Sequence, residues 1–224
     1  MTRTRFHQGL EDLKQRLLIM GGLAEQAVDR AIHAYVTRDV EISQKVLEDE
    51  KTINVSEREI DESAIDLLAM QQPMAVDLRF LFSVIKVNAD LERVGDQAVN
   101  IAERVIDMSK FPAADLPVDI ARMASIAAGM VHQSLQAFIE ENVDLAQQVL
   151  EGDDVVDEIN REAFESLTRV MKSNPDLTRQ ALDALIVARN LERVADHATN
   201  IAEDVIFWVR GADVRHGVSN PASS

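Results

Sequence analysis

The chain has 224 residues, enough for two small domains each with a core of its own; 46% are hydrophobic but only 4% aromatic, so Leu, Ile, Val, Ala and Met must build that core. A formal net charge of -16 argues against direct binding to nucleic acid or anionic lipid heads and favours cations and basic protein surfaces as partners. With no cysteine, disulfides and thiolate metal sites are excluded, and the few Gly and Pro residues argue against an all-β chain.

From Leu10 to Tyr35, apolar residues at Leu10, Leu13, Leu17, Met20, Ala24, Ala27, Ala31 and Ala34 keep the helical step and predict a first long helix. Gly21 and Gly22 weaken its middle and predict a close helix approach there. The longest apolar run near the start, Leu17 to Ala24, is far shorter than the roughly 20 residues of a membrane span. Glu11 and Asp12 precede it and no cleavage site follows, so no secretory leader or membrane insertion is expected and the chain reads as cytoplasmic. After Thr37-Arg38-Asp39, a second helix carries Ile42, Val46, Ile53, Ile60 and Leu67 and runs to the Gln71-Gln72-Pro73 break. A third runs from about Asp77 to Met108.

Pro112 and Pro117 bracket a polar stretch that cannot continue the helix, which sets a domain boundary: residues 1–110 form a first bundle, 111–118 a linker and 119–210 a second bundle. The second half repeats the plan, with helices at Ile120 to Glu140 and Val143 to about Ser173, a turn at Asn174-Pro175-Asp176, and a last helix to about Arg210. The expected fold is all-α, two tandem pseudo-symmetric three-helix up-down-up bundles, with residues 211–224 a disordered tail.

The repeat is closest where VNADLERVGDQAVNIAERVI, starting at Val87, returns as VARNLERVADHATNIAEDVI, starting at Val187. Apolar Val87, Leu91, Val94, Ala98, Ile101 and Val105 form a helix seam, and each has an apolar twin. A core explains them. Glu92, Asp96, Asn100 and Glu103 also return, as Glu192, Asp196, Asn200 and Glu203, in one stripe on the side away from the seam. An acidic stripe kept in both halves of a duplication asks for a reason beyond solvation.

The middle helices offer partners, Glu50 with Asn54 and Asp153 with Asp157. In an antiparallel hairpin, residues equidistant from the turn lie side by side. Glu50 and Asp96 each stand 23 residues from Pro73, and Asn54 and Glu92 each 19. Asp153 with Asp196, and Asp157 with Glu192, are likewise equidistant from the Asn174-Pro175 turn. Each hairpin therefore sets one pair opposite another, and with Asn100 or Asn200 a turn away the oxygens suit hard or borderline divalent ions. The bland reading is a solvated acidic face with salt bridges to Arg93, Arg104 and Arg193.

His197 could join a metal cluster or be an ordinary helix-surface histidine, since its counterpart is Gln97; His7, His33 and His132 read as ordinary helix residues, and His216 lies in the tail. Met70, Met74, Met123, Met130 and Met171 read as core filler. No phosphate loop, nucleophile elbow or His-Glu-x-x-His helix occurs, which disfavours an NTPase, a serine hydrolase or a zincin. Two rivals remain: a ferritin-like carboxylate-bridged di-metal enzyme, which normally needs inward Glu-x-x-His motifs, and a metal-free helical scaffold for a basic partner.

Leu91-Glu92-Arg93-Val94-Gly95-Asp96 with Asn100-Ile101-Ala102-Glu103, its echo in the second half, and Met70-Gln71-Gln72-Pro73 followed by Asp77-Leu78-Arg79 together resemble the PhoU family from about Phe6 to Arg210. The resemblance implies tandem three-helix bundles whose surface Glu/Asp-x-x-x-Asp pairs bind metal ions. By position these pairs are Glu92 with Asp96, Asp153 with Asp157 and Glu192 with Asp196; Glu50 with Asn54 departs at the neutral amide, so the first site is expected to hold fewer or weaker ions. The metal's identity (Mg, Mn, Fe or Zn) stays open. The likeness further implies a non-enzymatic cytoplasmic regulator that damps the phosphate-starvation response, often a homodimer, acting between the phosphate ABC transporter's ATPase and a sensor histidine kinase.

Overall fold

The computed structural model describes residues 3–70 and 73–211, and the side chains of all but Arg3, Thr4 and Met70 among them. Six long helices follow one another: α1 (Arg3–Thr37), α2 (Val40–Met70), α3 (Ala75–Met108), α4 (Ile120–Glu140), α5 (Val143–Ser173) and α6 (Thr178–Arg210), with one 3-10 turn at Pro175–Leu177 before α6. Gln71, Gln72 and the tail from residue 212, His216 included, lie outside the described residues.

The duplication reaches into the turns. Arg38 and Glu141, at equivalent places after α1 and α4, both take left-handed backbone, φ 56° and 55°. Each is followed by a side chain that caps the next helix: Asp39 Oδ1 accepts from the amides of Glu41 and Ile42, and Asn142 Oδ1 from that of Leu145. Such caps satisfy amides that the first helical turn leaves without partners. Asp119 does the same for α4, accepting from Arg122 N at 3.0 Å.

The seam residues are all buried in both copies, Leu91 and Leu191 completely. Burying such a side chain contributes about 1.5–3 kcal/mol. The core differs from expectation in one respect. A single apolar cluster runs through all six helices, joining Leu17 and Ile53 of the first half to Met123 and Val156 of the second. The two bundles are therefore fused rather than merely linked. Their joint is α3 against α6, which run antiparallel. Arg79, near the start of α3, donates to the Trp208 carbonyl near the end of α6, while Arg179, near the start of α6, pairs with Asp107 near the end of α3. At one end of the joint Trp208 fills the space between Phe80 of α3 and Phe138 of α4, with ring centroids 4.9 and 4.8 Å away.

Gly21 is where α1 meets α4: a Cβ there would stand 2.4 Å from Leu135 Cδ1. Gly22 has open space around it, so close approach does not account for it. Of the methionines, Met123 and Met130 are core, but Met74 is 72% exposed because it caps α3 in extended backbone, outside the helical seam. Met171 is half-buried, and the side chain of Met70 lies outside the described residues.

Candidate metal centre

In the second half, α5 and α6 bring Asp153, Asp157, Glu192 and Asp196 into one electrostatic neighbourhood. The Asp153 carboxyl is pushed up to about 6, first by its burial and then by the charges of Asp157, Asp196, Asp154 and Glu192. Burial, joined by the charge of Asp157, also raises Asp196; Glu192 rises through burial, then through Asp196 and Asp157. Asp157 adds its charge to each of the three raised groups, Asp153, Glu192 and Asp196, so the four carboxylates lie within electrostatic reach of one another. Asp157 and Asp196 are exposed and Asp153 and Glu192 half-buried, so the cluster opens to solvent.

The first half is built differently. Glu92 is raised by burial and then by Asp96, Glu57 and Glu50. Glu57 is raised by burial, Asp61 and Asp96. Asp96 is raised by burial, against the lowering influence of His197. The neutral Asn54 thus does not leave this cluster one carboxylate short, because Glu57, a turn further along α2, supplies the fourth. Its equivalent in α5 is Asn160. Acid and amide have traded places, Asn54 and Glu57 in one half against Asp157 and Asn160 in the other. The signal was present in the sequence as this exchange, visible once α2 and α5 are aligned. Asn54 Oδ1 is shut off from solvent and has no hydrogen-bond donor. A carbonyl oxygen enclosed on an acidic face is a group that a hard cation would satisfy.

Packing beneath the clusters shows a similar exchange. A Cβ on Gly95 would stand 2.9 Å from Ile53 Cδ1, so glycine lets α2 and α3 close up beside Asn54. The equivalent residues are Ala195 and Val156, both buried. One carbon has moved from one helix to the other.

Asn100 and Asn200 are set toward the opposite half. Asn200 Nδ2 donates to Asp90 Oδ1 at 3.3 Å, and Asn100 lines a groove with Arg104 and Arg189. His197 fits neither of its expected roles: largely buried, it places Nδ1 2.9 Å from Asp90 Oδ1, bridging α6 to α3. Of the basic residues offered for salt bridges, Arg104 pairs with Asp107 at 3.1 Å and Arg93 with Asp90 at 3.6 Å, so neither neutralises the acidic clusters by direct contact. Among the described residues no three His, Asp or Glu side chains close to ligand distance, so the carboxylates share a field without forming a finished cage. Their donor atoms, all carboxylate or amide oxygen, fit hard or borderline divalent ions.

The family model described as the PhoU domain matches the chain twice, over residues 17–105 and 120–205. The chain belongs to the PhoU family. The two matches coincide with the two halves, each carrying one acidic cluster. A phosphate-specific transport system accessory protein PhoU homolog of Pseudomonas aeruginosa is 40% identical over 215 residues, covering 95% of this chain and 88% of that protein. The phosphate-specific transport system accessory protein PhoU of Escherichia coli is 31% identical over 212 residues, covering 95% and 88%. The crystal structure of PhoU from Pseudomonas aeruginosa matches with a TM-score of 0.90 at 38% identity, over 92% of this chain and all of that one. The PhoU fold of two tandem three-helix bundles is thereby established for this chain.

Proposed function

We propose that this PhoU protein is a metal-binding cytoplasmic regulator of phosphate uptake, acting through protein contacts with a phosphate transport system and with the kinase that reports phosphate starvation. The regulatory role is supported by family membership and by relatives named as accessory proteins of phosphate-specific transport. The metal reading rests on one observation above others: burial and then the neighbouring carboxylates of α5 and α6 lift Asp153 to about 6. A group held so far above its ordinary value marks a field that a cation would relieve. Asp153, Asp157, Glu192 and Asp196 would hold an ion in the second half, and Glu50, Asn54, Glu57, Glu92 and Asp96 in the first. A bound ion would supply positive charge and fix the α2–α3 and α5–α6 hairpin faces that a partner reads. No catalysis is assigned.

A cytoplasmic setting is consistent with the absence, among the described residues, of a helix long and apolar enough to cross a membrane. Contacts with the transporter's ATPase and a sensor histidine kinase, and a homodimeric state, belong to the same proposal. Deletion of the gene is expected to raise alkaline phosphatase during phosphate-rich growth, restored by the wild-type gene and poorly by one carrying Asp153→Ala, Asp157→Ala, Glu192→Ala and Asp196→Ala. Unchanged phosphatase in the deletion strain would overturn the regulatory reading. Full restoration by the substituted gene would detach the metal from it.

A further inference from the structure

Because α3 and α6 repeat one another in sequence and pack antiparallel, their joint has two equivalent sides, which have diverged in charge. One side holds a groove of about 350 Å³ lined by Arg104, Arg189, Arg193, Asn100, Asn190 and Glu103: three guanidinium groups against one carboxylate, in a chain with 39 acids and 23 Lys and Arg. At the equivalent positions of the other side stand Asp204, Ala89, Arg93, Asn200, Asp90 and Glu203. There the cations are answered within the protein. Lys86 forms an ion pair with Asp204, and Arg93 lies 3.6 Å from Asp90. In the basic groove both of those acids are gone, one replaced by Asn190 and the other by Arg104.

Among the described residues, Arg189 and Arg193 have no ion-pair partner within 4 Å, and Arg104 has Asp107 at 3.1 Å. Arg189 and Arg193 act on Glu192 and Asp196 only at longer range, so three guanidinium groups lining one groove with a single carboxylate still favour an added anion. Planar guanidinium forks match the oxygens of a tetrahedral anion and can donate in pairs. Asn100 adds an amide at the same rim. Asn190, whose Nδ2 donates to the Ile186 carbonyl at 2.7 Å, forms a fixed neutral wall. We propose that this groove binds a small tetrahedral oxyanion of the phosphate type, free in solution.

Calorimetric titration of the full chain with inorganic phosphate, in chelator and low salt, tests this. The wild type should show saturable binding, weakened at least tenfold by Arg104→Gln, Arg189→Gln and Arg193→Gln together, and unchanged by Arg16→Gln, Arg122→Gln and Arg169→Gln, which remove the same charge outside the groove. Should the first triple variant fail to keep its helical circular dichroism, Arg193→Gln alone should still weaken binding severalfold. Absence of saturable binding, or equal loss in the two triple variants, would overturn the proposal. So would ATP binding that the groove substitutions remove while inorganic phosphate shows none, because the occupant would then be a nucleotide.

Discussion

His197 of α6 and Asp90 of α3 meet at 2.9 Å across the joint between the halves, and at the pseudo-symmetric place stand the buried amides Gln97 and Asn190. The carboxylate can only accept, so the imidazole Nδ1 carries the hydrogen. Asp90 also receives Asn200 and lies near Arg93. His197→Ala leaves a nearly buried carboxylate with weaker partners. The expected cost is about 1–3 kcal/mol in urea unfolding, with metal titrations little changed. A loss of metal binding without loss of stability would make His197 a ligand rather than a bridge.

The exchange of acid and amide on α2 predicts that Glu57 matters as much as Glu92. Glu57→Gln should weaken cation binding at the first cluster about tenfold and leave the second untouched. The double variant Asn54→Asp, Glu57→Asn copies the α5 arrangement and should recover binding. Calorimetry on a background with the second cluster neutralised reads both, and an inert Glu57→Gln would remove that residue from the cluster.

Asp153 predicts a pH dependence of stability in chelated protein. Its folded value of about 6 lies above the ordinary 3.8, so between those values the folded state holds more proton than the unfolded one. Its contribution is favourable below about pH 4 and is lost as pH rises through 6. Asp153→Asn should therefore melt higher than wild type at pH 7.5, with the gap closing as pH falls to 4. Saturating divalent metal should reverse the order at pH 7.5 by stabilising only the wild type. Equal melting at every pH would mean that the cluster is solvated and weakly coupled.

Gly95 and Ile53 predict a coupled pair. Gly95→Ala alone forces a carbon into Ile53 and should cost about 1–3 kcal/mol. Ile53→Val alone should cost about 0.5–1.5 kcal/mol. Together they reproduce the Ala195 and Val156 arrangement, so the double variant should lose clearly less than the two losses added. Strict additivity would place the two residues out of contact.

Much of this was legible before any coordinates. Periods of three and four at Leu91, Val94 and Ala98 placed α3, Pro112 and Pro117 ended it, and the turn at Pro73 set Glu50 level with Asp96. Height along a hairpin follows from counting. Rotation about each helix axis does not, so spacing alone sets Asn100 and Asn200 in line with the acids although they face the other half. The fused core is hidden for a related reason: an apolar stripe announces burial without naming its partner, and α3 packs on α1, α2 and α6 at once, as α6 does on α3, α4 and α5. Glu57 is not marked by spacing, because the step of four from Glu50 leads to Asn54 and the acid stands a further three residues on.

The most direct test is element-specific anomalous scattering from crystals grown without chelator in manganese. Peaks between α5 and α6 at Asp153, Asp157, Glu192 and Asp196, and between α2 and α3 at Glu50, Glu57, Glu92 and Asp96, are the predicted result. Crystals that diffract well and show manganese at neither hairpin would contradict it.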